Sequence, residues 1–327
     1  MKVAVLLGGI SAEREVSLVS GEEVAKALRE EGFDVVEIDA RPGIELFNAL
    51  QNHRPDVVFN ALHGDWGEDG EVQGLLDLLK IPYTHSGAAA SRLAMNKDDA
   101  KAVLQDHGIR VARGRVVARD VAGQGGVMEP PYVVKPNGSG SSASVYIVHE
   151  ETPELLAKIR DDKGLGEEPI VERYIPGREL TVAVMDGKAM AVTEIIPEGW
   201  YSYEEKYGDN AARHVLPADI PEEVARICME WAETAHRVLG CRGLTRTDFR
   251  YDDTSVEKGS FPDMANRVVT LELNTQPGMT PTSLAPEQAA YCGLGFGELC
   301  RWIVEDASWP REPAREQQQG TTNGSAP

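Results

Sequence analysis

The chain is poor in cysteine, and the four it has, Cys228, Cys241, Cys292 and Cys300, form no CxxC pair. No histidine stands at finger spacing from them. A zinc site or a disulfide framework is therefore not expected, and the thiols read as reduced and mostly buried. Positive charge is scarce as well. Lys and Arg total 33 against 53 Asp and Glu, a net charge of −20. Neutralising phosphates or anionic lipid needs a basic face, so neither nucleic acid nor a membrane is an expected partner. Long apolar runs are missing: residues 3–7 form a run of five that stops at Gly8-Gly9. A secretory h-region needs roughly 7–15 apolar residues and a membrane span roughly 20. A cytoplasmic location is the expectation. Two nucleotide fingerprints are also missing. GxxxxGK[ST] does not occur, and Gly8-Gly9 lacks the later glycines of GxGxxG. No repeat of solenoid length occurs.

What is present is a chain of 327 residues, long enough for two or three domains with sizeable cores. Residues 1–86 alternate strand and helix. The run 3–7 ends in a glycine turn, Val16, Val19, Val24 and Leu28 recur at helical spacing up to Gly32, and residues 34–39 and 56–62 are further strand candidates. This pattern implies a doubly wound parallel sheet of the α/β class, with ligands beyond the C-terminal strand ends. Residues 95–107 read as one helix, and 132–135 and 143–148 as strands around PNGSGSS. Asp186-Gly187 joins the extended runs 180–185 and 189–195, a strong hairpin signal. Residues 197–217 are Tyr-rich without periodicity, as lids often are. Residues 221–239 read as a helix with Pro in its first turn, and 247–251 and 268–274 as strands. The Gln-, Gly-, Thr- and Pro-rich end, 311–327, reads as a disordered tail.

Side chains two apart share one face of a strand, so Arg246 pairs in direction with Asp248, and Glu272 with Asn274. If the two strands are neighbours, Asp248, Glu272 and Asn274 converge as hard oxygen donors suited to Mg²⁺. A solvated polar strand face explains the same spacing. KPNGSGSS, residues 135–142, has glycines that let backbone N–H groups cradle phosphate oxygens and a lysine at the strand end. A flexible hairpin loop explains it equally. Pro277-Gly278 reads as a type II turn that could aim the Gly278 N–H at a reacting oxygen, or as an ordinary strand-ending turn. Glu13, at a helix start, is favoured by the helix dipole whatever else it does.

Taken in order, AVLLGGISAEREVS, ALHGDWGEDG, MNK, VVKPNGSGSS, VERYIPGRELTV, YEEKYGDN, TRTDF and LELNTQPGMTPTSL resemble the D-alanine–D-alanine ligases of the ATP-grasp superfamily, over roughly residues 1 to 308. The resemblance implies a two-lobed ATP-grasp fold after the parallel sheet. It divides the chain into 1–86, a central lobe 87–171, a C-terminal lobe 172–308 and the tail 309–327. It implies ATP-driven ligation of two D-alanine molecules through a D-alanyl phosphate, for peptidoglycan. It also implies a homodimer.

The same resemblance assigns roles. Asp248, Glu272 and Asn274 would hold two Mg²⁺ ions, with Mn²⁺ an alternative. Lys97, Lys135 and Lys206 would contact the ATP phosphates under a loop carrying Ser141 and Ser142. Glu172, Arg173 and Ile175 would border the adenine, and Glu179 would take the ribose hydroxyls. Glu13 would pair with the ammonium of the first D-alanine, with His63 nearby. Arg246 and the Gly278 N–H would stabilise the oxyanion, Ser283 and the Leu284 N–H would hold the second carboxylate, and Ser141 and Tyr207 would link to Glu13. Tyr207 favours D-alanine as second substrate, with D-serine still open. Asn96, Ser144 and Asp65 depart from the family pattern without removing a ligand. A small-molecule binding protein, another carboxylate–amine ligase or a silent homologue are the alternatives. The last should have lost Arg246 or a metal carboxylate, and this chain has kept them.

Overall fold

The computed structural model describes residues 1–140, 144–196, 212–254 and 264–310. Its first part holds β1 (Lys2–Gly8), α1 (Arg14–Glu30), β2 (Asp34–Ala40), α2 (Ile44–His53), β3 (Val57–Asn60) and α3 (Glu71–Leu79). The strands form a parallel sheet of order β2-β1-β3. β1 is an unbroken apolar run because both its faces are covered. Val24 and Leu28 of α1 pack on Val3 and Val5, while Leu46, Leu50, Val72 and Leu76 of α2 and α3 pack on Ala4 and Leu6. This is the double winding that the sequence implied. Gly21 lets α1 sit tightly on β1, since a Cβ there would overlap the Leu7 side chain. The helix is stopped by Gly32, which takes φ 86° beyond its end.

Next come α4 (Ala88–Met95), α5 (Lys97–Asp106), β4 (Gly114–Val116), α6 (Arg119–Ala122), β5 (Tyr132–Lys135), β6 (Tyr146–Val148), α7 (Pro153–Asp161) and β7 (Ile170–Arg173). The single helix expected over 95–107 is thus two helices. Asn96 leaves the helical region, with φ −81° and ψ 102°, and its side chain caps the second helix by accepting from the Asp99 N–H. Of the strand expected over 143–148, residue 143 lies outside the described residues, and among the described ones the strand starts at Tyr146. The four strands pair antiparallel in the order β4-β7-β5-β6 over Tyr132, Val134, Val148, Ile159 and Val171.

The last part holds β8 (Arg178–Met185), β9 (Lys188–Ile196), β10 (Arg213–Val215), α8 (Glu222–Val238), β11 (Leu244–Tyr251), β12 (Val268–Asn274), α9 (Leu284–Tyr291) and α10 (Phe296–Asp306). The sheet order is β10-β9-β8-β11-β12, all antiparallel. Asp186 and Gly187 both take positive φ, 51° and 72°, as a two-residue hairpin of this hand requires. Val224, Ile227 and Cys228 of α8 cover Leu180, Val182 and Phe249. α10 returns to the first sheet, where Leu299, Cys300 and Ile303 join the core of Val3, Val5 and Val57. Both ends of the described chain thus share one buried cluster.

Cys228, Cys241 and Cys300 are buried and Cys292 is exposed, all without disulfides. Burial pushes the Cys228 and Cys241 thiols up to about 12, which makes them inert. Among the described residues, no helix is long and apolar enough to cross a membrane. Ser141, Ser142, Lys206 and Tyr207 lie outside the described residues, as do most of the expected lid and the tail 311–327.

Candidate active site

β11 and β12 are neighbours, with Arg246 opposite Asn274 and Asp248 opposite Glu272. The pairing that Asp248, Glu272 and Asn274 need to converge is therefore present. A bulge follows at once: Phe249 pairs with Thr270, and Leu271 is passed over. Both Asp248 oxygens accept from Arg246, at 2.9 and 2.8 Å, and Oδ1 also accepts from Thr181 at 2.6 Å. Lys97 Nζ stands 3.4 Å from Glu272 Oε2. Asn274 Oδ1 accepts from the Gln276 N–H at 2.7 Å. Among the described residues no three His, Cys, Asp or Glu side chains gather as a ready-made cage. Two carboxylates and one amide oxygen are what this face offers. That small set of hard donors suits Mg²⁺, which completes its shell with phosphate and water. The residues present fit the group.

The four-stranded sheet meets this face with the opposite charge. Lys135 ends β5, and its ammonium donates to Glu172 Oε1 of β7 at 2.7 Å. Lys101 of α5 donates to the other Glu172 oxygen. All three are buried, Glu172 to 2% exposure. Burial opposes the Lys135 charge, but Glu172, Glu272 and Asp248 outweigh it and raise the pKa above the ordinary lysine value. Burial likewise opposes the Glu172 charge, and Lys135 and Lys101 outweigh that to hold it below its ordinary value. Lys101 is pushed down to about 8, by burial first and then by Lys135, because one carboxylate cannot fully compensate two ammoniums.

Lys97 donates to the Ser139 carbonyl at 2.7 Å, so α5 touches the glycine loop. Asn96 and Asn137 stitch the two together: Asn137 Nδ2 donates to Asn96 Oδ1 at 3.0 Å, and the Asp98 N–H to Asn137 Oδ1 at 3.0 Å. The departure at Asn96 thus keeps the capping oxygen. The Ser144 hydroxyl bonds the Asp162 carboxylate and ties down the loop's downstream end. Arg250 donates to the Ile175 carbonyl at 3.2 Å and the Gly177 carbonyl at 2.7 Å, and its Nη1 stands 3.5 Å from Glu179, holding the link between β7 and β8. Arg173 points to the exposed side of β7.

A cavity of about 1010 Å³ opens beside these groups, lined by Glu13, His63, Lys97, Arg246, Gly278 and Ser283 among others. Glu13 sits at the head of α1, and its N–H donates to Ser11 Oγ at 3.1 Å, while Ser11 donates to the His63 carbonyl at 2.6 Å. His63 Nδ1 lies 3.1 Å from Glu68, and Nε2 lies 3.3 Å from Ser20 Oγ. A Cβ on Gly140 would lie 3.8 Å from Glu13 and 3.5 Å from Glu68, so the glycine loop comes close to both carboxylates. At the far wall Ser283 precedes α9, whose first residue is Leu284. Ser283 Oγ accepts from the Thr280 N–H at 3.1 Å. The expected type II turn at Pro277-Gly278 is not formed. Gly278 has no left-handed φ, and the chain turns earlier, on the Asn274–Gln276 bond. A Cβ at 278 would stand 3.1 Å from Ser283 Oγ, a tight contact that the Ser283 side chain would have to relieve.

Residues 115–305 match the family model described as D-ala D-ala ligase C-terminus, and residues 43–86 match D-ala D-ala ligase N-terminus. The D-alanine–D-alanine ligase of Ruegeria sp. (strain TM1040) is 53% identical over 313 residues, 95% of this chain and 97% of its own. The chain belongs to the D-alanine–D-alanine ligase family. Two crystal structures of the D-alanine–D-alanine ligase from Bacillus anthracis, the second complexed with ATP, match at TM-scores of 0.76 and 0.74. Their identities are 28% and 27%, and each match covers 94% of this chain and 97% of the other. The ATP-grasp fold expected from the motifs is the fold of this chain.

Four features of this ligase-family site escaped the sequence reading. Lys101 follows Lys97 by one helical turn, so its face was legible. Arg250 continues the alternation of Arg246 and Asp248 along β11, which was also legible. Glu68, beside His63, had no periodic signal. The His214–Glu287 pair, Nδ1 to Oε2 2.7 Å, joins residues 73 apart and had none either.

Proposed function

We propose that this chain joins two D-alanine molecules into D-alanyl-D-alanine, cleaving ATP to ADP and phosphate. The observation that carries the reading is one cleft with two charged walls. Lys135 stands on one side, and Asp248, Glu272 and Asn274 on paired strands stand on the other with Lys97 beside Glu272, and the Ser283–Leu284 helix start lies at the end of the adjoining cavity. Divalent magnesium, when bound, would neutralise the ATP phosphates, and Asp248, Glu272 and Asn274 would hold it, with Mn²⁺ a substitute.

The remaining work falls to this chain's own groups. Lys97 and Lys135 draw the phosphates, joined by Lys206, while Ser141 and Ser142 close over them. Glu172, Arg173 and Ile175 border the adenine, and Glu179 takes the ribose. Glu13, beside the His63 loop, holds the first ammonium and leaves the carboxylate facing ATP. That carboxylate takes the terminal phosphoryl group, which turns a poor electrophile into an acyl phosphate. The neutral amine of the second D-alanine attacks its carbonyl, a C–N bond forms, the amine proton is lost and phosphate leaves. Arg246 and the Gly278 N–H face the oxygen where negative charge develops. Ser283 and the Leu284 N–H, at a helix start, hold the second carboxylate. Ser141 and Tyr207 link to Glu13 as the lid closes. The enzyme works in the cytoplasm as a homodimer.

Phosphate release from ATP with Mg²⁺ and D-alanine, against an L-alanine control, tests this. Release that requires D-alanine, with an equal amount of D-alanyl-D-alanine, is the expected result. Release only with another second substrate, such as D-serine, would move the chain to a different carboxylate–amine ligation.

A further inference from the structure

One ammonium in the cleft has no part in the ligation chemistry. Lys101 is 5% exposed, lies one turn beyond Lys97 on α5, and binds the Glu172 oxygen that Lys135 leaves vacant. Burying a lysine forfeits its hydration and much of its side-chain freedom. Glu172 already has Lys135 as a full counter-charge, so a second lysine is not needed to neutralise it. Two ammoniums on one carboxylate leave the trio with an excess positive charge in the wall that meets the phosphates.

The two lysines are not equivalent. Lys135 also stands in the field of Glu272 and Asp248, on the opposing sheet. For both lysines Glu172 is the foremost attraction and Glu272 a lesser one. Lys135 is the last residue of β5, where the glycine loop begins, whereas Lys101 lies within α5, so Lys135 is the partner placed to turn to a nucleotide and Lys101 the resident one. Resting on the nucleotide reading above, we propose that Lys101 is a positioning residue for ATP: it keeps the Glu172 carboxylate compensated when the Lys135 ammonium leaves it for the nucleotide. Without Lys101, that departure would strand a buried carboxylate, and the stranded charge would be set against ATP binding. Lys101 thereby favours ATP without touching it.

ATP titrated calorimetrically with Mg²⁺ into the full chain tests this, using wild type, Lys101→Met, Glu172→Gln and the double variant, with KM for D-alanine measured alongside. Lys101→Met should weaken ATP by at least about tenfold and leave KM for D-alanine within about twofold. On the Glu172→Gln background the same change should cost less than about twofold, because no buried carboxylate remains to compensate. Wild-type ATP affinity in Lys101→Met, or an equal loss on both backgrounds, would overturn the proposal. Should Lys101→Met fail to fold, Glu172→Gln against the double variant decides alone: a further loss of about tenfold refutes it and parity supports it. Absence of ATP binding by wild type would remove the nucleotide reading itself, before any variant is compared.

Discussion

Glu172 of the four-stranded sheet lies between Lys135 of the same sheet and Lys101 of α5, whereas on the five-stranded sheet Asp248 pairs with Arg246 and Glu272 with Lys97 of α5. In the first, the anion is the minority and is almost wholly buried. In the second, Glu272 lines the cavity with Lys97 beside it, while Asp248 lies buried behind it, bonded to Arg246 and Thr181. The difference shows how a chain of net charge −20 can present a site for an anionic nucleotide. Positive charge is concentrated beside Glu172, and the facing strands carry the carboxylates that, in the function proposed above, would hold a divalent cation.

The largest test of that contrast is Glu272→Ala. Losing one of two carboxylates on the acidic wall should lower kcat by at least about a thousandfold, as the removal of a metal ligand implies. Steady-state phosphate release measures it, and near-normal turnover would mean that the acidic wall holds no ion.

Acid sensitivity sharpens the contrast between cleft and scaffold. His236 lies between α8 and β11, with Nδ1 2.8 Å from Thr245 Oγ1. Burial first, and then Arg242, depresses its pKa to about 4. The folded state therefore keeps it neutral, while the unfolded chain takes up a proton near pH 6.5. Its contribution is full above pH 6.5 and is lost as pH falls toward 4, by up to about 3 kcal/mol. Urea unfolding at pH 7 and pH 4.5 reads this, and His236→Gln should flatten the dependence. An unchanged slope would place the acid sensitivity in the cleft carboxylates.

Ser283→Ala should raise the KM for the second D-alanine about tenfold through one lost hydrogen bond, leaving ATP untouched. An effect on ATP alone would erase the separation between cavity end and charged walls. The smallest effect belongs to the seam between helix and glycine loop. Asn96→Ala should reduce stability by about 1 kcal/mol by removing a cap, and Asn96→Asp should be nearly silent in thermal unfolding. Equal losses in both would show that the amide nitrogen, and not the capping oxygen, matters there.

Much of this protein was legible in its residues because the deciding interactions are local or periodic. Alternation along residues 246–248 and 272–274 put the candidate ligands on one face before any partner strand was known. Asp186-Gly187 determined its own hairpin, and Gly32 its own helix end, through backbone freedom that neighbouring residues lack. The glycine-rich loop and the motif order determined the family. Tertiary structure decided the rest. It split one helix at Asn96, because Asn137, 41 residues away, rewards the extended conformation. It replaced a type II turn at Gly278 with an Asn274-directed bend. It joined Lys101 to Glu172 across 71 residues and brought α10 back onto β1. Those outcomes depend on contacts between distant segments, whose free energy is recorded in no local pattern and is realised only once burial brings the segments together.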